Sequence, residues 1–181
     1  MSDSVSSRGS ATLVSVLFPP ASVPIIDIFR ALGDFDEHYD IAALDYLEAR
    51  LAQDMTREAA KGVVSDALLL AFGLRRERRE PLAFETIQSR RGTIDEYRLM
   101  AIIGATYWHD FILASEAAAA LDVAHPQTLI SLAFDIARRL ESAGLKLAAP
   151  DPRLLGVADP TRFSEVIAER SPAARRLSLD V

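Results

Sequence analysis

The side chains whose types and spacing suit chemistry are Arg98, His109, Asp110 and Glu116. If residues 94–121 form one helix, a turn of about 100° per residue sets Arg98, His109 and Glu116 within roughly 20° of one another, with Asp110 about 120° from Arg98. Imidazole and carboxylate are common ligands of Zn, Mn or Fe and common partners in proton transfer. Lining an interior pocket, this set would make a small metal- or ligand-binding protein, and a metal-dependent hydrolase is one form of it. The same polar sector carries Leu99, Ile102, Ile103 and Leu113, which is more apolar than a face that meets only water. The expectation is a binding set of Arg98, His109, Asp110 and Glu116, with no catalytic residue, no metal ligand and no cofactor assigned.

The dipeptide His109-Asp110 resembles the paired ligands of metal-dependent phosphohydrolases of the HD type, over two residues only. That class also needs an upstream histidine and a downstream aspartate, for which His38 and Asp135 are the available residues. Di-iron chemistry of the ferritin kind requires Glu-x-x-His on two helices, and no glutamate stands three residues before any of the three histidines. The eight glycines are scattered singly, so nothing like G-x-x-x-x-G-K cradles a phosphate, and no G-x-S-x-G elbow presents a serine. With no cysteine in the chain, disulfides, thiolate metal sites and a cysteine nucleophile are excluded.

A net charge of −6 disfavours nucleic acid and anionic lipid. The one local exception is Arg75, Arg76, Arg78 and Arg79. Of 20 basic residues only Lys61 and Lys146 are lysines, and asparagine is missing altogether. Both residue types have A-rich codons, so a GC-rich coding sequence accounts for paired arginines without a nucleic-acid partner. The run is read as a solvated linker between helices. Residues 9–26 carry no charge, but Pro19, Pro20 and Pro24 interrupt them, which argues against a membrane span. The apolar stretch 13–18 is too short for a signal-peptide core, so a cytoplasmic location is expected.

The elements that would position these side chains are helical. Ser22 is the expected cap of a helix ending at Gly33, Asp40 of one to about Gln53, and Thr56 of one ending at Gly73. Pro81 is expected to open a short fourth helix, containing Leu82, Phe84 and Ile87, that stops at Gly92. Thr93-Ile94-Asp95-Glu96 matches a capping box, from which a helix runs to about Leu121 with Gly104 permitting a bend. His125-Pro126 restarts a helix that ends at Gly144, and Asp159 caps a short tail helix to Arg170. Thr12–Phe18 is the one strand-like segment and is read as an extended arm, having no second strand to pair with.

The expected fold is therefore all-α: a single-domain bundle of about six helices, with an extended N-terminal arm and a proline-punctuated C-terminal tail. The boundaries are 1–21 for lead and arm, 22–145 for the helical core and 146–181 for the tail. The expected function is that of a non-enzymatic interaction protein, an adaptor, assembly factor or regulatory subunit. Its partner would be another protein chain or a second copy of itself, with no nucleic acid and no membrane.

Overall fold

The computed structural model describes residues 15–33 and 41–156. The 1–14 lead, the Asp40 cap, His38 and the 159–170 tail helix lie outside the described residues. Ser15–Gly156 forms one compact unit, all-α apart from a two-stranded ribbon. In chain order come β1 (Val16–Leu17), α1 (Val23–Gly33), α2 (Ile41–Leu51), α3 (Arg57–Glu77), β2 (Arg91–Gly92), α4 (Ile94–Tyr107), α5 (Phe111–Ala120) and α6 (Pro126–Ser142). None of these helices is long and apolar enough to cross a membrane.

α4 is the centre of the bundle. It packs against α5 on one side and α6 on another, while α3 lies along α6, and α1 rests on α2 and α3. Every residue from Leu99 to Thr106 is buried, so α4 has no solvent face along that stretch. The apolar residues in its polar sector are thereby accounted for: Leu99, Ile102 and Ile103 meet other elements, not water. The segment after α6 closes one side. The Tyr97 hydroxyl on α4 donates to the Asp151 carbonyl at 3.0 Å and accepts from the Asp151 N–H at 2.7 Å. Leu147 and Leu155 join the core there, as Val16 and Phe18 do at the other end of the chain.

The caps at Thr56 and Thr93 form as the local chemistry dictates. Thr56 Oγ1 accepts from the Ala59 N–H, and Thr93 and Glu96 satisfy each other's backbone donors in a complete capping box. α6 starts at Pro126 and is closed by Gly144, whose φ of 76° suits a residue without a Cβ.

Four expectations are corrected. α3 does not stop at Gly73 but continues to Glu77. Gly73 serves helix packing instead, since a Cβ there would come within 2.5 Å of Leu129 Cδ2 on α6.

No helix forms between Pro81 and Gly92. The reason is tertiary: the N–H groups of Ala83, Glu85 and Gln88 donate to the carboxylates of Asp95, Glu96 and Asp27 on α4 and α1. Bonds to distant carboxylates thus take the donors that a helix would have used.

β1 finds a partner after all. Val16 pairs with Gly92 and Leu17 with Arg91, antiparallel, and the Phe18 N–H extends the ladder to the Arg90 carbonyl. The fourth correction concerns the helix from Ile94 to Leu121, which is two helices separated at Trp108-His109-Asp110.

Candidate functional site

The break between α4 and α5 gathers three of the large apolar side chains exposed among the described residues. His109 adopts φ 58°, in the left-handed region. Its N–H donates to the Thr106 carbonyl and the Asp110 N–H to the Ala105 carbonyl. This pattern is a Schellman motif with histidine in the position usually held by glycine. Asp110 then caps the next helix, its Oδ1 accepting from the Leu113 N–H at 3.0 Å. The same backbone pattern ends α5 at Asp122 and α6 at Gly144. His109 and Asp110 are therefore explained by the turn they build.

That role carries a test. Asparagine tolerates the left-handed region and a β-branched residue does not. His109→Asn is expected to keep urea-unfolding stability within about 0.5 kcal/mol of native, and His109→Val to lower it by about 1–2 kcal/mol. Equal losses from both would place the value of His109 in its ring instead of its backbone.

The turn leaves three large apolar side chains in the open. Trp108 is 56% exposed, Phe111 47% and Ile112 76%. Phe111 and His109 each lean on Phe134 of α6, with ring centroids 6.0 and 6.1 Å apart. Trp108 is held in place as its indole N–H donates to the Leu147 carbonyl at 3.1 Å. α5 buries Leu113, Ala114, Ala117 and Ala118 on the side away from Ile112, so Ile112 cannot turn inward without pulling those residues out.

Because the helix breaks, the rotation that aligned Arg98 with His109 and Glu116 no longer applies. The guanidinium of Arg98 donates to the Leu155 carbonyl and lies 3.8 Å from Asp95, tying the segment after α6 to α4. Glu116 is exposed in the second half of α5. Only His109 and Asp110 stay together, as chain neighbours. Asp135 lies 3.9 Å from Arg138 on its own helix. Among the described residues, no three histidine, aspartate or glutamate side chains gather closely enough to hold a metal ion.

The most concentrated charge lies elsewhere, at Asp27, Arg30 and Glu96, all buried. Arg30 Nε donates to Glu96 Oε1 at 2.6 Å and its Nη1 to Asp27 Oδ1 at 3.0 Å, while Arg50 reaches the second Asp27 oxygen at 3.1 Å. Arg30 also donates to the carbonyls of Ser89 and Arg91. Burial pulls the Arg30 pKa down, but the hydrogen bonds and charges of Glu96 and Asp27 outweigh it and hold the group above the ordinary arginine value. A cation stabilised in this sense keeps its contribution at every pH below the ordinary arginine pKa and loses it only above the raised one. Arg30 thus gives the fold no acid or neutral titration.

The cluster joins α1 to α2 through Arg50 and to α4 through Glu96, and its remaining polar contacts hold the loop before α4, which marks it as a structural clasp. Sequence reasoning passed over Asp27 and Arg30, although two charges spaced i, i+3 among Ile25, Ile26, Ile28 and Phe29 were the visible signal.

No family model, curated protein or solved structure matches this chain.

Proposed function

We propose that the chain is a non-enzymatic interaction protein that engages another protein through the corner between α4 and α5. The observation that carries this reading is the exposure of Trp108, Phe111 and Ile112 within five residues, on a turn whose hydrogen bonds fix their direction. Single exposed apolar residues are ordinary, whereas a clustered aromatic and aliphatic group is the composition of interface anchors. Covering the exposed parts of the three side chains is worth roughly 4 kcal/mol, no more than the cost of association itself. The corner is therefore the anchor of a larger interface, with Phe134 beside it.

Ile112→Asp tests the reading, because a residue this exposed can be replaced without disturbing the core. The native chain and the variant, shown to have equal Tm, serve as paired baits in the source cells. A stoichiometric partner held by the native chain and lost by Ile112→Asp is expected, with hydrogen exchange slowed at 108–112 in the complex. A partner retained by the variant, or protection elsewhere, contradicts the reading. So does a doubled mass in light scattering that Ile112→Asp abolishes, since that would make the corner a homodimer contact.

A further inference from the structure

We propose that the cleft at the C-terminal end of α3 is a binding site for an amphiphilic carboxylate, an alkyl chain with a single anionic head. The proposal is independent of the α4–α5 corner. The cleft lies between the end of α1, the last turns of α3 and the extended loop that follows, and encloses about 270 Å³. That volume is near the lower end of small-molecule pockets, roughly 300 Å³. It admits one small molecule, and it is too small for a helix about 10 Å across.

The interior is apolar, walled by Leu32 and Phe29 from α1, Leu74 from α3, and Leu82 and Phe84 from the loop. The mouth is cationic, with Arg75, Arg78 and Arg79 against the single carboxylate of Glu80. This is the reverse of the molecule as a whole, whose net charge is −6. The three arginines differ in availability. Arg78 is committed to the Leu121 carbonyl at 2.7 Å and to Asp95 at 3.4 Å. Arg75 sits in the last turn of α3, where a cation offsets the helix dipole.

Arg79 lies beyond the helix, exposed, with no ion-pair or hydrogen-bond partner among the described residues. An apolar chain fills the interior while its carboxylate stays at the rim, partly hydrated, beside Arg79. A neutral chain would use the interior alone, and a dianion would meet Glu80 with surplus charge.

Isothermal titration of the full chain with hexanoate, octanoate and decanoate, and with decanol as the neutral control, tests the assignment. Saturable one-to-one binding is expected, tightening about fourfold per added methylene until the cavity is full. Arg79→Glu should weaken decanoate by about fivefold and leave decanol unchanged, and added salt should do the same. Ala71→Leu, which narrows the cleft from the α3 wall with a good helix former, should weaken both ligands, and Leu82→Phe does so from the loop side if Ala71→Leu does not fold. Absence of saturable decanoate binding overturns the proposal. Equal loss of decanol and decanoate on Arg79→Glu, or unchanged binding in the narrowed cleft, overturns it as well.

Discussion

Replacing Arg30 by methionine is expected to lower unfolding stability by about 3–5 kcal/mol, a large share of the total for a domain of this size. The substitution preserves much of the side chain's volume and removes only the charge and its donors. Two carboxylates, Asp27 and Glu96, each with no solvent exposure, then remain in the interior without their shared cation. Arg50 still reaches one oxygen of Asp27 from the edge, but among the described residues no second cation pairs with Glu96.

Buried ion groups can often be exchanged for apolar residues without loss. Here that exchange fails, because the carboxylates also accept from the N–H groups of Glu85, Gln88 and Thr93, and Arg30 donates to the carbonyls of Ser89 and Arg91. An all-apolar core at these positions would orphan five backbone groups. Urea unfolding of Arg30→Met, Glu96→Gln and the double variant measures the effect. The double variant is expected to lose less than the sum of the two singles, as partners in one network do. A loss under about 1 kcal/mol for Arg30→Met would show that the loop is held by something else.

Gly92→Ala is the second substitution with a large expected effect, about 3 kcal/mol. A Cβ at residue 92 would collide with Phe18 Cε2 and stand 2.8 Å from Glu96 Oε2. Neither neighbour is free to retreat. Phe18 is itself buried, and that Glu96 oxygen accepts the capping-box bond from the Thr93 N–H at 2.7 Å. One methyl group therefore presses on the β1–β2 pairing and the ion cluster together. Truncating Phe18 to leucine in the Gly92→Ala background should recover part of the loss, a coupling that a calorimetric melt of the four proteins reads directly. A Gly92→Ala protein as stable as the native chain would contradict the packing at this junction.

These two sites also show where the sequence was legible. Thr93 and Glu96 form a local pattern whose partners lie three residues apart, so the start of α4 was readable. The end of α4 was not, because its stop signal is a histidine in a place where glycine is the usual clue, and 3.6-residue periodicity runs through His109 without interruption. The segment after Pro81 misled for the opposite reason. Pro81 offers a helix start and Gly92 a stop, yet the donors of that stretch are claimed by carboxylates on α1 and α4 that no local pattern can reveal. Similarly, β1 pairs with two residues, Arg91 and Gly92, that carry no strand signal of their own.

Of the four residues proposed from sequence for the site, His109 and Asp110 fall at the corner now proposed for binding, as its scaffold and not its contact surface. The contact residues proposed are their neighbours Trp108, Phe111 and Ile112. They were hidden by the assumption of one continuous helix, on which all three fall roughly 220–320° around from Arg98, among its apolar residues.

Trp108 is the only tryptophan in the chain, so its fluorescence reports on the corner alone. In the free protein its emission should be that of a half-exposed indole, readily quenched by acrylamide. With the partner retained by the native chain and lost by Ile112→Asp, the account predicts a blue shift and loss of acrylamide access. Unchanged emission and unchanged quenching in a saturated complex would contradict the assignment of this corner as the interface.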